Sequence, residues 1–275
     1  MTTLTDTPLR TRRDTAASLR RATALARGEL RLLTRNRTAM ITALLLPVAM
    51  VGFLGATGIG DQTDVPPGAM LTTLMVCFVL LFVVYYNLVS VYVARREELV
   101  LKRLRVGEAT DAEILTGGAL PSLLIALVQT VVVAIGVAVV VGAEAPVNVL
   151  LPLLGLTVGA VVFVLLAGAS TAFTRNVEMA QVSTMPVLFI CMLGSGMMVP
   201  ISVFPDTLAQ VLRFLPMTPV VELSNLGLAG LTWDGTAVDL AGSFEAAMVP
   251  MAILLVWLAL GTWALRRWFR WEPRV

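Results

Sequence analysis

The sequence predicts an all-α integral membrane protein with six transmembrane helices, an N-terminal amphipathic elbow helix and an outer re-entrant hairpin. Of its 275 residues, 57% are hydrophobic, and the mean hydropathy is +0.87. Only 14% are charged, whereas about a quarter of the residues of a soluble domain are charged. This composition argues against a disordered chain, a nucleic-acid binder and an ordinary water-soluble enzyme.

Six apolar runs are long enough to cross a bilayer, which takes about 20 residues. A charged residue at the centre of a span costs about 2.5–3.5 kcal/mol, and these runs contain no Asp, Glu, Lys or Arg. The predicted spans are residues 38–58, 70–94, 114–142, 147–173, 182–199 and 246–265.

The basic residues predict the orientation. With six crossings, 19 of the 20 basic residues fall on one side, and Arg213 alone falls on the other. Basic loops stay in the cytoplasm, so we expect a multi-pass protein of the plasma membrane with both termini cytoplasmic. We expect residues 1–15 and 266–275 to be cytoplasmic tails, the first of them disordered, and residues 16–265 to form one transmembrane domain.

The sequence lacks the residues needed for histidine-based catalysis, for a zinc site and for a P-loop. The chain has no histidine, and Cys77 and Cys191 both lie in apolar runs, so we predict neither catalytic nor metal-binding residues. The single lysine, Lys102, follows a leucine. A phosphate-binding P-loop needs its lysine after a glycine, so no P-loop is present in the sequence.

Residues 16–37 have the pattern of a basic amphipathic helix. Apolar residues recur at steps of three and four from Leu19 to Leu33, with arginines on the other side. Such a helix lies in the membrane interface and would lead as an elbow into the first span. The alternative is a cluster of positive charge that only fixes topology.

The charged segment 95–113 follows the second span. A helix over residues 97–106 would pair Glu98 with Lys102 at a spacing of four. It would also present Leu101 and Leu104 to a groove on a cytosolic partner. The alternative is a solvated hairpin whose arginines contact anionic lipid headgroups.

Prolines break the outer segment 200–245 into short pieces. We predict short helices over residues 207–215 and 220–228, within a broken re-entrant hairpin over residues 197–230. The residues assigned to it are Gly194, Pro200, Pro205, Pro216, Pro219 and Glu222. An acid at membrane depth indicates a functional site; alternatively, the hairpin is a cap and Glu222 faces water.

Two weaker signals lie inside the spans. Gly155 and Gly159 form a GxxxG pattern that lets helices approach closely, either within the protein or at a dimer face. Tyr85, Tyr86 and Asn87 form the most polar cluster within a span. They line a substrate path or form hydrogen bonds to a neighbouring helix.

The order of these parts resembles the type-2 ATP-binding cassette (ABC) exporter permeases, which include daunorubicin-resistance and other drug-efflux subunits. Residues 96–105 resemble the coupling helix of that family, R-E-x-G-T-L-x-R-L-R, with Leu99 and Val100 at the usual Gly-Thr. Residues 194–219 resemble the family pattern between spans five and six. The resemblance implies coupling to an ATPase through Arg96, Glu97, Glu98, Leu101, Lys102, Leu104 and Arg105.

The resemblance implies a non-catalytic exporter permease linked to multidrug efflux and antibiotic resistance. Its partners would be a separate ABC ATPase subunit, a second permease chain of the same or a related kind, membrane lipid and a small-molecule substrate. No cofactor is expected in this chain, because ATP and magnesium would bind the ATPase. The apolar spans favour a lipophilic drug, antibiotic or lipid as cargo. The alternatives are a self-sufficient secondary transporter or channel, and an intramembrane enzyme.

Overall fold

The computed structural model describes residues 65–99, 111–140 and 145–269, together with residues 49, 52, 53 and 56. In this part of the chain the regular secondary structure is helical, apart from an antiparallel bridge between Leu231 and Ala237. The helices are α1 (Pro67–Glu97), α2 (Asp111–Val140), α3 (Leu150–Ser170), α4 (Val177–Gly194), α5 (Asp206–Leu212), α6 (Thr218–Ala229), α7 (Leu240–Ala246) and α8 (Met248–Trp268).

The described residues contain five helices that are long and apolar enough to cross a membrane. They are Pro67–Glu97, Glu113–Val139, Leu150–Ser170, Val177–Gly194 and Leu240–Trp268, and they correspond to predicted spans two to six. The chain is therefore a multi-pass helical membrane protein. The predicted elbow lies outside the described residues, as does the first span apart from single positions.

Helix α1 is the centre of the described bundle. In its most apolar stretch 72% of the residues are buried, against 22% to 44% in the other four candidate spans. Its middle, Val79–Tyr86, is π-helical, a geometry that is rare and is frequently found at functional sites. The Tyr85 ring packs edge-on against Phe163 of α3 at a centroid distance of 6.2 Å.

The fifth predicted span was placed about five residues too late. Helix α4 begins after Asn176, whose side-chain oxygen accepts a hydrogen bond from the Met179 amide at 2.9 Å. It ends at Gly194, two residues before Gly196, which has a positive φ of 78°. The cap residue and the polar first turn of α4 lowered the apolar signal, so hydropathy alone missed the start of the helix.

Small residues bring α3 and α6 into close contact. A Cβ on Gly159 would lie 2.7 Å from Val220 Cγ2, and one on Gly155 would lie 3.3 Å from Leu223 Cβ. From the other side, a Cβ on Gly227 would collide with Pro152 and lie 2.5 Å from the Asn148 carbonyl oxygen. The internal alternative for the GxxxG pattern is thus confirmed, because these glycines admit α6.

This contact makes Gly227 sensitive to a single methyl group. We expect Gly227→Ala to lower the free energy of unfolding by about 2–3 kcal/mol, since neither the proline ring nor the backbone carbonyl can yield easily. Thermal unfolding in detergent measures the change. Gly136→Ala is the matched control: nothing lies within 4 Å of its added Cβ, and alanine raises helix stability there by about 0.5–1 kcal/mol. Equal stability of Gly227→Ala and the wild type would contradict the packing.

Candidate functional site

A buried arginine joins the end of α1 to the turn between α3 and α4. Arg96, in the last turn of α1, is 1% exposed. Its Nη1 donates to the Thr171 carbonyl oxygen at 2.8 Å, and its Nη2 donates to the carbonyl oxygens of Thr174 at 2.6 Å and Arg175 at 3.2 Å. Three acceptors in one turn are thus bound by one side chain.

The local backbone explains why an arginine sits there. The carbonyl groups of Thr171, Thr174 and Arg175 lie in the turn between α3 and α4, outside both helices. Buried carbonyl groups need hydrogen-bond donors, and the planar guanidinium presents several donors in a fixed fork. The Thr174 and Ser183 hydroxyl oxygens lie 2.7 Å apart, so the same turn is also bound to α4.

The end of α1 is fastened to α2 as well. The Tyr92 hydroxyl donates to the Leu115 carbonyl oxygen at 2.9 Å. The buried Arg95 side chain packs over Gly118, with Nη1 3.3 Å from where a Cβ on that glycine would lie. The Tyr92 and Phe269 rings meet edge-on at 6.3 Å. The last turn of α1 therefore contacts α2, the α3–α4 turn and the end of α8.

The predicted coupling residues divide into two groups at this junction. Arg96 is buried, whereas Glu97 and Glu98 are exposed where α1 ends. Leu99 has a φ of 58°, a left-handed conformation that glycine adopts readily, and it stands where the family pattern has glycine. The remaining predicted residues, Leu101, Lys102, Leu104 and Arg105, lie outside the described residues.

The polar cluster in α1 forms hydrogen bonds between helices. The Tyr85 hydroxyl oxygen lies 3.0 Å from Ser170 Oγ, and Asn87 Nδ2 donates to Ser122 Oγ at 3.0 Å. Tyr85 is fully buried and Tyr86 is half-buried. These two bonds connect α1 to α3 and to α2 beside Pro121.

At the opposite end of the bundle, Glu222 is buried and ion-paired. Its side chain is 3% exposed, and its two carboxylate oxygens accept from Arg213 Nε at 3.0 Å and Nη2 at 3.1 Å. The Arg213 guanidinium also lies 5.3 Å from the Trp233 ring centroid. Burial raises the pKa of Glu222, and the hydrogen bond and charge of Arg213 oppose that rise. The alternative in which Glu222 faces water is therefore wrong.

The sequence assigns Arg213 to the outer side as its one basic residue but predicts no partner for it. Arg213 lies nine positions before a carboxylate in an apolar setting. A lone cation and a lone buried anion in one short segment are natural partners, because an unpaired buried charge is costly. That pairing was the available signal.

The remaining residues of the predicted hairpin lie where the helices of this segment are interrupted. Pro200 precedes a short 3₁₀ turn, Pro205 precedes α5, and Pro219 lies in the first turn of α6. Pro216 lies between α5 and α6. A Cβ on Gly194 would lie 2.7 Å from Leu215 Cδ1, so the end of α4 packs against that break.

Hydrogen bonds fix the hairpin to the bundle. Thr73 Oγ1 donates to Asn225 Oδ1 at 3.1 Å, and the Trp257 indole donates to the Phe214 carbonyl oxygen at 2.8 Å. The two predicted short helices are present as α5 and α6, and α6 is largely buried against α1 and α3. The hairpin is thus a packed part of the fold.

Long apolar helices around a buried central helix define a polytopic membrane protein. Residues 20–227 match the sequence profile of the family described as ABC-2 type transporter. The match covers more than two thirds of the chain, which therefore belongs to that family and is a membrane component of a transporter. A comparison with curated proteins found no match.

Proposed function

We propose that this chain is the permease subunit of an ATP-driven ABC exporter that moves a lipophilic drug, antibiotic or lipid out of the cell. A separate ATPase subunit binds ATP and magnesium and supplies the hydrolysis, and a second permease chain completes the membrane pore. The observation that carries the proposal is the Arg96 junction, because it connects the start of the charged loop to the turn between α3 and α4.

The junction supports a mechanical coupling. A partner that pushes on residues 97–105 pushes on the end of α1. The α3–α4 turn must move with it, since Arg96 binds three of its carbonyl groups. Packed elements with discrete arrangements transmit such shifts as rigid bodies.

In this proposal the predicted coupling residues have different tasks. Leu101 and Leu104 are the apolar anchors in a cleft of the ATPase, while Lys102 and Arg105 pair with acidic groups there. Glu97 and Glu98 are exposed at the same end. The buried Arg96 transmits the movement within the permease. Tyr85 and Asn87 are hydrogen-bonded to other helices. Tyr86, which lies between them and is half-buried, is the residue of this polar cluster that contacts the substrate.

The proposal is tested by co-expression with an ATPase encoded beside this chain. We expect Lys102→Glu combined with Leu101→Ala and Leu104→Ala to abolish ATPase co-purification and substrate transport, because the anchors and the charge that fixes register are lost together.

Glu245→Lys is the matched charge reversal, because this carboxylate is exposed on α7; that variant should bind the ATPase and transport normally. Survival of both transport and co-purification in the triple variant would refute the assignment of residues 97–105.

A further inference from the structure

An apolar groove runs between the C-terminal halves of α3 and α8. It has a volume of about 250 Å³ and is walled by Leu166 and Ala169 on one side and Leu260 and Ala264 on the other. Among its lining residues the Ser170 hydroxyl lies 3.0 Å from that of Tyr85, and the Trp257 indole donates to a backbone carbonyl. These polar groups already have partners, so the groove suits hydrocarbon.

Aromatic side chains form the mouth of this groove. Trp268 packs edge-on against Phe173 at 5.9 Å and against Trp263 at 5.3 Å. All three remain substantially exposed, Phe173 at 66%, Trp263 at 57% and Trp268 at 40%. Tryptophan is typical of the depth at which lipid chains meet headgroups, which places the mouth at that depth.

Positive charge lies beside the aromatic mouth. Arg266 and Arg267 are exposed and follow Trp263 by three and four residues, so they share its helix face one turn further on. Arg175 is exposed two residues after Phe173. Neither α3 nor α8 contains an acidic residue, so these cations are not neutralised within the two helices.

We propose that this groove binds an anionic phospholipid, with one acyl chain along the groove and the headgroup phosphate on Arg266 and Arg267. The groove requires hydrocarbon, the arginines require an anion, and the aromatic rings mark the boundary between them. A second copy of the chain fits less well: a two-fold contact sets a patch against itself and would bring the arginines of both copies together.

The test uses the full chain in phosphatidylcholine vesicles and follows tryptophan fluorescence. The fraction of lipid brominated on its acyl chains is increased stepwise, in one series as phosphatidylglycerol and in the other as phosphatidylcholine. Each arginine near anionic lipid contributes about a fivefold preference. Because Arg266 and Arg267 act together, we expect half-maximal quenching at an about 30-fold lower fraction of the anionic lipid than of phosphatidylcholine. Arg266→Gln/Arg267→Gln should abolish most of this preference.

Two controls assign the effect to the groove. Arg270→Gln/Arg274→Gln removes the same charge from the tail and should keep the preference. Trp263→Phe/Trp268→Phe should reduce the headgroup-dependent part of the quenching to the share of Trp257, which also lines the groove. Equal quenching of the wild type by both lipids, or equal loss in both arginine variants, would overturn the proposal. Efficient disulfide formation between two copies of the Trp263→Cys variant would overturn it in favour of a dimer contact, because Cys77 and Cys191 are buried.

Discussion

Replacing Arg96 with leucine is expected to lower the free energy of unfolding by about 3–5 kcal/mol. The substitution removes three hydrogen bonds from a charged donor and leaves carbonyl oxygens of Thr171 and Thr174 buried without it. Buried acceptors that lose a charged partner are costly. Arg96→Lys should recover only part of the loss, since an ammonium cannot reproduce the planar fork.

The neighbouring Arg175 offers a matched control for this experiment. Only its backbone carbonyl accepts from Arg96, and its side chain is exposed. Arg175→Gln should therefore leave the thermal unfolding temperature in detergent close to that of the wild type. If Arg96→Leu unfolds at the same temperature as Arg175→Gln, the junction does not stabilise the fold. In the proposed complex, Arg96→Lys should also weaken the stimulation of the ATPase by substrate while co-purification is retained.

Removal of Arg213 is expected to have the second-largest effect. Arg213→Gln leaves the Glu222 carboxylate buried without its cation, which should lower the free energy of unfolding by about 2–4 kcal/mol near neutral pH. This range lies below the about 3–5 kcal/mol typical of a fully buried ion pair, because the Arg213 side chain is 22% exposed and solvent screens the pair. Glu222→Gln should be milder, at about 1–2 kcal/mol, because the partly exposed arginine can still reach water and an amide oxygen.

The pH dependence distinguishes loss of this ion pair from a general packing defect. Burial already raises the pKa of Glu222, and loss of Arg213 removes the groups that oppose the rise. For a carboxyl group whose folded pKa exceeds its unfolded value, stability is present below the unfolded pKa and is lost as pH rises through the folded pKa. Arg213→Gln should thus be destabilised more at about pH 8 than at about pH 5.

The double variant completes the cycle. Arg213→Gln/Glu222→Gln should be more stable than Arg213→Gln alone at the higher pH, because no charge is then left buried. Guanidinium unfolding in detergent at each pH measures the four proteins. A penalty for Arg213→Gln that does not change with pH would show that Glu222 is not the group left behind.

The sequence alone predicted those features that depend on the local composition of the chain. Apolar length predicted spans two to six, and the prolines predicted the helix pair α5 and α6. Both signals are local, because a membrane span needs hydrocarbon length and a proline cannot donate a backbone hydrogen bond. The ends of the spans were less accurate where a polar cap such as Asn176 begins a buried helix.

The features that the sequence left open depend on contacts between distant residues. The family resemblance implies that Arg96 faces a partner, yet its acceptors are carbonyl groups 75 to 79 residues further along the chain. The environment of Glu222 was left open because it depends on Arg213, nine residues earlier in the chain. The π-helical segment of α1 is a backbone geometry that no residue pattern in Val79–Tyr86 marked.

The seam of glycines between α3 and α6 restricts where cargo can travel. Where Gly159 meets Val220 and Gly227 meets Pro152, the interface has no space for one additional carbon atom. A cargo molecule many atoms wide therefore cannot thread between these two helices while they stay in contact. While this contact persists, the cargo must therefore pass around the α3–α6 pair.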